Sequence, residues 1–450
     1  MQEKMLTGAP VKTLLFFSLP ILAGNLLQQL YSVIDAVIVG HFVSSNALGA
    51  IGCTMPIVFM VTCVSFGLSS GSSILIGQTT GANAHGGDNG KIPTLSWTSL
   101  FYSLAVALLL ALICIPTTGS FVRLVDTPVD LQADSILYLT IYFCGLPFVF
   151  GFTMVSSVFR SLGDSMTPLL FLGIASLLNV GLDLFFVLQL EMGVAGAAIA
   201  TVLSQIFAFF LQIILMIRKM RSYRRDKAPI FSFDTLRRLT ALALPTTSQE
   251  VLISLGILLT QVLTNRFGSA VVSAYTAASK TSDFVMLPMI SIGAGMTVFC
   301  AQNIGAGQVE RVQHAFYSLL RITLGFALIT ALVVVFFPGQ LIALFLGSNI
   351  TPEIFAAGQS YLYVSAFNFF LMAILFPAES LLKGSGDVNM FMGIAITGAV
   401  IKLAVAVALI PNFGYHGIWF GIAVGWLCEA SLTLLRYRSG KWKAKRLKGL

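Results

Sequence analysis

Charged residues are scarce in this chain. Asp, Glu, Lys and Arg make up 10% of its 450 residues, whereas soluble globular domains carry about 25%. Hydrophobic residues make up 57%, and the mean hydropathy is +0.90. This composition excludes an ordinary soluble domain and indicates a protein that lies in a lipid bilayer.

Cysteine, histidine and the motifs of common catalytic sites are also sparse or missing. The six cysteines and four histidines show no paired spacing of the kind that binds a metal. The chain has no HExxH, GxSxG or paired catalytic aspartate motif, and its glycine-rich turns lack the GxxxxGK(S/T) pattern of an ATP-binding loop. We therefore expect no enzyme activity, no cofactor and no ATP-driven step.

Long apolar runs are abundant instead. A helix needs about 20 mostly apolar residues to cross a bilayer, and twelve runs meet this requirement. We predict spans at 13–39, 46–78, 93–119, 134–158, 166–188, 194–217, 237–265, 270–302, 313–337, 354–380, 390–410 and 414–436.

Basic residues indicate the orientation of these spans. Twelve spans place both ends of the chain on one side, and the clusters of Lys and Arg at 218–227 and 436–448 fall on that side. Both termini are therefore predicted to be cytoplasmic. The net charge of +8 follows from this topology, so the lipid bilayer is an expected partner and nucleic acid is not.

The chain also repeats itself, with an offset that drifts only from 225 to 221 residues. Each half holds six spans, so both halves enter the membrane from the same side and the repeat is parallel. Repeats of this kind are typical of transporters that rock two halves against each other. The matched segments include Leu19-Pro20 with Leu244-Pro245, Gln78-Thr79-Thr80-Gly81-Ala82 with Gln302-Asn303-Ile304-Gly305-Ala306, and Gly193-Val194-Ala195-Gly196 with Gly414-Tyr415-His416-Gly417.

The predicted fold is therefore an all-α polytopic membrane protein of twelve helices in two six-helix lobes. The predicted segments are an amino-terminal lobe at 1–217, a basic cytoplasmic linker at 218–234, a carboxy-terminal lobe at 235–436 and a basic cytoplasmic tail at 437–450.

The polar and charged residues inside the first-half spans call for an explanation. Placing a charged side chain at the bilayer centre costs at least about 2.5–3.5 kcal/mol of free energy. Asp35 lies in the first span; Asn179 and Asp183 share a helix face in the fifth, and Ala197 and Thr201 share one in the sixth. Two carboxylates, an amide, a hydroxyl and a backbone carbonyl form an oxygen cage suited to Na⁺, or a proton-loading site. The alternatives are helix–helix hydrogen bonding for Asn179–Asp183 and contact with extracellular water for Asp35.

The second half lacks this pattern. Through the repeat, Asp35 corresponds to Thr260, Asn179 to Lys402 and Asp183 to Ala406. A structural requirement of the fold would be expected in both copies, so the asymmetry favours a functional site in the first half. Among the second-half charges, Lys280 with Asp283 and Glu379 with Lys383 have the spacing of local pairs on one helix face.

These features, and the order in which they follow one another along the chain, resemble the multidrug and toxic compound extrusion (MATE) family. Within that family they are most similar to the prokaryotic DinF-like branch. The resemblance covers nearly the whole chain. Its carriers are Leu19-Pro20, Gln28-Gln29-Leu30-Tyr31 with Asp35 and Gly40, Gly77-Gln78 with Gly81-Ala82, Arg160-Ser161-Leu162-Gly163-Asp164, Asn179 with Asp183, 193–201, and Gln302 with Gly305-Ala306.

The resemblance implies two lobes in a V with a cavity between them, in a prokaryotic plasma or inner membrane, and a chain that functions as a monomer. It also implies that Asp35, Asn179, Asp183, Ala197 and Thr201 form an amino-lobe site for H⁺ or Na⁺.

Three further residues are candidates for the moving parts and the substrate cavity. Pro20 matches the proline at which the first helix of the family bends, since proline removes an intrahelical hydrogen bond. Gln28 matches a cavity-lining position, and Glu250 is a second-half candidate for the same cavity.

We predict a secondary antiporter that exports amphipathic, mainly cationic, drugs or toxic compounds in exchange for H⁺ or Na⁺ by alternating access. One alternative is a lipid-linked oligosaccharide flippase of the same wider superfamily, although the basic residues that would hold pyrophosphate, Lys280, Lys402 and Arg266, are few and dispersed. An ion channel is the other alternative, although no filter-like repeat is evident. The coupling ion and the substrate stay open.

Overall fold

The computed structural model describes residues 2–84, 90–223, 229–347 and 350–445. Parts of three predicted segments therefore lie outside the described residues: the first glycine-rich turn at 85–89, the linker at 224–228 and the tail at 446–450. Within the described part, eleven helices are long and apolar enough to cross a membrane, or twelve when one bent pair counts as a span. The predicted all-α fold with twelve spans is confirmed.

The described residues of the first half form eight helices. These are α1 (Gln2–Thr7), α2 (Pro10–Phe42), α3 (Ser45–Asn83), α4 (Lys91–Leu124), α5 (Val129–Cys144), α6 (Leu146–Ser161), α7 (Met166–Asp183), which continues as a π-helix over Leu184–Gln189, and α8 (Gly193–Tyr223).

The second half begins at α9 and ends in a short 3₁₀ turn. Its elements are α9 (Phe233–Asn265), α10 (Ser269–Gly305), α11 (Val309–Phe336), α12 (Pro338–Leu346), α13 (Pro352–Ser385), α14 (Val388–Phe413), α15 (His416–Arg438) and the turn Lys441–Ala444.

The predicted fourth span, 134–158, is not one straight helix. It consists of α5 and α6, which meet at Gly145 with a bend of 51°. Pro147 lies in the first turn of α6, where its missing N–H group leaves no helical bond unmade. A β-carbon at Gly145 would lie 2.7 Å from Val202 Cγ2, so the bend also depends on glycine for close contact with α8.

The short helix α12 was absent from the sequence prediction. It has nine residues and begins at Pro338, a residue that cannot continue a preceding helix but is favoured in a first turn. Its Ile342 is fully buried against α13, where Gly358 leaves room for it. Nine residues are too few to span a bilayer. A search for apolar runs of spanning length therefore does not show α12 as an element distinct from α11.

The described contacts divide the chain into two compact units whose boundaries fall inside helices. Unit 1 contains Pro20–Glu250, and unit 2 contains Glu3–Leu19 together with Val251–Gly449. The sequence prediction instead placed the division in the linker at 218–234. The difference arises in α2 and α9, because each of these helices contributes its first part to one unit and the rest to the other.

The first part of α2 belongs to unit 2 through specific contacts. Arg311 on α11 donates hydrogen bonds to the carbonyl groups of Met5 and Gly8, at 3.2 and 2.8 Å. Ser18 packs against Gly295 of α10, where a β-carbon would overlap the serine hydroxyl. These contacts hold the amino-terminal segment in unit 2.

The first part of α9 is held within unit 1 in a similar way. Thr246 donates a hydrogen bond of 2.7 Å to the carbonyl of Gly67 on α3. One turn further along α3, Gly71 allows the backbone of Ala243 to approach to within 2.5 Å of the place a β-carbon would occupy. Glycine at both positions lets the two helix backbones touch.

Candidate functional site

The turn between α7 and α8 brings the polar residues of the two helices face to face. After Asp183 the α-helix widens into a π-helix over Leu184–Gln189, a local form that is frequent at functional sites. The chain then reverses through Glu191 and Gly193, both with positive φ. Gly196 at the start of α8 lies against Phe186, where a β-carbon would be 3.1 Å from the Phe186 Cβ.

Asn179, Asp183 and Thr201 lie together at this interface inside unit 1. Asp183 is 0% exposed and Asn179 is 1% exposed, and Thr201 is almost as well buried. The Asn179 side-chain amide donates a long hydrogen bond of 3.5 Å to the Thr201 hydroxyl. Ala197, one turn before Thr201, is also buried.

Asp35 of α2 completes the group. It is only 8% exposed, and its carboxyl group lies within hydrogen-bonding range of the Asp183 carboxyl. Such a bond forms only when one carboxyl carries a proton, because two carboxylates offer acceptors and no donor. The two carboxyl groups that the sequence analysis assigned to one candidate site therefore lie next to each other, and their role in ion coupling stays a prediction.

Four oxygens in this group find no hydrogen-bond donor among the described residues. They are Asp35 Oδ1, both carboxyl oxygens of Asp183, and Asn179 Oδ1. Buried oxygens without donors are costly, and buried carboxylates are especially so. Chemically, the group can bind a proton or a small hard cation, since either one satisfies acceptors that the protein leaves open.

Sequence reasoning missed three tyrosines that surround the carboxylates. Tyr31 lies one turn before Asp35 on α2, and its hydroxyl reaches the Thr201 hydroxyl. Tyr138 and Tyr142, one turn apart on α5, are both buried, and Tyr142 shares a hydrogen bond of 3.3 Å with Thr62 of α3. The i, i+4 spacing of Tyr31 and Asp35 in the sequence could have placed Tyr31 beside the site. Nothing in the sequence shows that α5, with Tyr138 and Tyr142, packs against the carboxylates.

The other predicted residues lie outside this group. Pro20 is buried inside the continuous helix α2, at the residue where its contacts change from unit 2 to unit 1. Gln28 is exposed, about two helical turns from Asp35. Glu250 is half-buried at the end of unit 1, where it interacts electrostatically with Cys63.

The corresponding positions of the second half build a different environment. Thr260 is buried, and its hydroxyl donates to the carbonyl of Gly256 at 2.7 Å. Ala406 is buried against Gly421. Lys402 is half-buried between α14 and its neighbours and interacts electrostatically with Glu429. The carboxylate pair of the first half has no copy at these positions.

A comparison with protein families matches the chain twice. The MatE family profile aligns with residues 20–185 and again with residues 245–408. The two matches cover the first five predicted spans of each half, in agreement with the internal repeat.

Individual proteins match over almost the full length. The chain is 29% identical to "Probable multidrug resistance protein YpnP" of Bacillus subtilis, over 98% of this chain and 97% of that one. It is 24% identical to "Probable multidrug resistance protein NorM" of Thermotoga maritima, over 96% and 93% of the two chains. A solved outward-facing structure of a MATE family multidrug resistance transporter has a TM-score of 0.89 at 22% identity, covering 99% of this chain and 98% of the other.

Proposed function

Because the chain belongs to the MatE family, we propose that it is a secondary antiporter that exports amphipathic, mainly cationic, drugs or toxic compounds in exchange for H⁺ or Na⁺. The chain is a multi-pass membrane protein. Its relatives carry names that refer to multidrug resistance. The coupling ion and the alternation of access are part of the proposal.

The proposal rests on the close approach of the Asp35 and Asp183 carboxyl groups. Two buried carboxylates without donors cannot both stay charged in a dry interior, because each charge costs several kcal/mol to desolvate. A proton or a Na⁺ ion removes that cost. Loading and release of the ion therefore change the free energy of the helix arrangement around the site, and this is the requirement for coupling.

Loading or release of the ion would change the charge next to three helices directly. Asp35 belongs to α2, Asp183 to α7 and Thr201 to α8. An ion that binds one arrangement of these helices more tightly than another shifts the population between them. Pro20 would act as the hinge of α2, since the carbonyl four residues earlier has no N–H group to accept from at this point.

The substrate class rests on the family and on the composition. Aromatic residues make up 11% of the chain, and 36 of them are Phe. Apolar, adaptable walls with few fixed polar groups favour promiscuous binding of amphipathic compounds. Gln28, which is exposed on α2, and Glu250 are proposed to contribute polar contacts to the substrate cavity.

Ethidium and norfloxacin efflux from proteoliposomes tests the proposal under separate proton and sodium gradients. We expect wild-type export under at least one gradient and loss of gradient-driven export in Asp35→Asn, which keeps the side-chain shape but removes the charge. Thr260→Val, the change at the corresponding second-half position, is the matched control and should keep export. Full gradient-driven export by Asp35→Asn would refute the coupling role.

A further inference from the structure

A cavity of about 300 Å³ lies within unit 1, where α4, α8 and the second part of the linker come together. Its lining includes Pro93, Trp97 and Phe101 of α4, Ile217 and Arg221 of α8, and Ile230 of the linker. This volume is at the lower end of the range for small-molecule sites and has room for roughly ten water-sized groups of about 30 Å³ each. The cavity is separate from the group of residues around Asp35.

The linker side of the cavity is attached to α4 by two hydrogen bonds. The Thr94 hydroxyl donates to the carbonyl of Pro229, and the backbone N–H of Ser232 donates to the Thr98 hydroxyl at 3.3 Å. Thr94 and Thr98 are one helical turn apart, so they hold this part of the linker along one side of α4. The cavity therefore has defined walls on all three elements.

The cavity lies at the boundary of the predicted membrane spans. On the sequence prediction, α4 enters its span at Pro93 and α8 leaves its span at Ile217. At about 1.5 Å per residue, Phe101 lies about 12 Å inside the span from Pro93, and Arg221 lies about 6 Å outside the span from Ile217. The lining therefore changes from apolar on the membrane side to cationic on the water side.

The cationic end has no acidic partner among the described residues. Arg218, Lys219 and Arg221 lie in the last turns of α8, and none of them forms an ion pair with a described residue. Asp234, the acidic residue of the linker that the structure describes, is paired with Arg238 at 3.0 Å. Of the three cations, Arg221 lines the cavity, so an anion there would gain a charge-assisted hydrogen bond.

The apolar end of the cavity continues as an exposed stripe along α4. Trp97 and Phe101 stack with their ring centroids 6.1 Å apart, and Phe101 is 42% exposed. Leu108 and Leu112, seven and eleven residues later on the same face of the helix, are also exposed. The stripe extends about 16 Å into the predicted span, in the direction in which an acyl chain runs. Tryptophan is enriched at this level of a membrane.

The segment that follows the last helix of the second half packs differently. Trp442, in the short turn after α15, is 0% exposed. Its indole N–H donates to the carbonyl of Tyr437 at 3.0 Å, and the two rings stack with centroids 5.8 Å apart. The second half thus covers the end of its last helix with its own aromatic ring, whereas the first half leaves an open cavity beside Arg221.

We propose that this cavity binds one anionic phospholipid, with the phosphate group against the Arg221 guanidinium and the start of an acyl chain against Trp97 and Phe101. The cavity has room for the phosphate and glycerol groups but not for a whole lipid, so the chains continue along the exposed stripe of α4. An anionic headgroup is favoured over a zwitterionic one because Arg218 and Lys219 add positive charge nearby. The ligand is therefore a component of the membrane, distinct from the transported substrate and the coupling ion.

The test measures lipid binding to the full-length, delipidated protein in detergent by native mass spectrometry. The protein is titrated with phosphatidylglycerol, with phosphatidylcholine of the same acyl chains, and with glycerol 3-phosphate as a soluble competitor. Arg221→Gln removes the cation that lines the cavity. Arg218→Gln is the matched control, because it removes the same charge from an exposed position on the same helix that does not line the cavity. Ile230→Trp fills the cavity from the linker side.

We expect phosphatidylglycerol to bind the wild type about tenfold or more tightly than phosphatidylcholine, and glycerol 3-phosphate not to compete. Arg221→Gln should weaken phosphatidylglycerol binding by about tenfold, since it removes one charge-assisted contact, and Arg218→Gln by less than about twofold. Ile230→Trp should abolish the tight site. All three positions are exposed, so the variants should keep a thermal unfolding midpoint close to that of the wild type.

Three outcomes would overturn the proposal. Equal loss of binding in Arg221→Gln and Arg218→Gln would assign the lipid preference to diffuse surface charge. Unchanged binding in Ile230→Trp would place the lipid outside the cavity. Competition by glycerol 3-phosphate would identify a soluble phosphate compound, and not a lipid, as the ligand. Since none of these measurements involves export or ion exchange, the result does not depend on the dye-export test of Asp35.

Discussion

In the first half, α7 and α8 enclose Asn179 and Asp183, whereas in the second half α14 and α15 enclose Lys402 and Glu429. The repeat relates the two helix pairs to each other, but their ionisable residues stand at different positions and have different signs. The ionisable groups of the two halves thus diverged after the duplication. Asp183 therefore lies one turn from a neutral amide, whereas the half-buried Glu429 lies on the helix that packs against Lys402.

The largest effect should come from making the first half resemble the second. Asn179→Lys places an ammonium group one helical turn from Asp183 on the same face of α7. A tethered cation would then satisfy the carboxylate in every state, so ion binding would no longer favour one conformation. We expect gradient-driven dye export to fall by roughly 100-fold, equivalent to about 2.7 kcal/mol of lost coupling.

The control for this substitution is Asn179→Met, which removes the amide without adding a charge. It should retain more export than Asn179→Lys in the same proteoliposomes. Equal loss in both variants would mean that the amide itself, and not the absence of a positive charge, is what coupling requires.

A smaller effect is expected when the second half receives a first-half residue. Gly398→Ala restores the alanine found at Ala175 but forces a methyl group onto the Glu429 carboxyl. The clash is with the end of a flexible side chain that can move away. The cost should therefore lie at the low end of the about 1–3 kcal/mol of overpacking, and the thermal unfolding midpoint should fall slightly. Adding Glu429→Ala, so that both positions carry the alanines of the first half, Ala175 and Ala208, should recover most of the loss.

Gly393→Ala is the matched control for Gly398→Ala. It lies on the same helix, and a β-carbon there meets no heavy atom within 4 Å. Alanine also has a higher helix propensity than glycine by about 1 kcal/mol, so this variant should be at least as stable as the wild type. If Gly398→Ala were equally stable, the Glu429 side chain would not need the space that glycine leaves at position 398.

The smallest effect should come from Thr201→Ala. The substitution removes a hydroxyl that contacts Asn179 and Tyr31 but leaves both carboxylates in place. A hydrogen bond of this kind contributes about 1 kcal/mol, so the ion concentration for half-maximal export should rise by about fivefold. Thr330→Ala removes a hydroxyl that donates only to the helix backbone and should leave this concentration unchanged.

Sequence reasoning singled out most residues of the candidate site because their signals were local. Asn179 and Asp183 are one turn apart, as are Ala197 and Thr201, and the repeat showed that the polar pair on α7 has no copy. Asp35 was singled out on its own span, and the structure places its carboxyl group next to that of Asp183. Tyr138 and Tyr142 were missed, because nothing in their own segment indicates that α5 faces the carboxylates.

Glu429 was overlooked for the same physical reason. Its repeat counterpart is Ala208, an inconspicuous residue, and its interaction partner Lys402 lies on another helix. The sequence prediction weighed Lys402 as the counterpart of Asn179 and as a possible pyrophosphate ligand, and not as a neighbour of Glu429. The relation between Glu429 and Gly398 becomes visible only when the two helices are packed together.

The amino-acid sequence by itself determined the number of spans, the duplication and the first-half location of the acidic pair, because hydropathy and helical spacing act over short stretches of chain. Only the tertiary structure decided which helix faces meet, how the parts of α2 and α9 divide between the two units, and where the fourth span bends. The reason is that these helices are apolar on nearly every side. When lipid and protein core accept the same residues, the pattern along a helix no longer identifies its buried face, and close backbone contacts such as those at Gly71 and Gly425 select it instead.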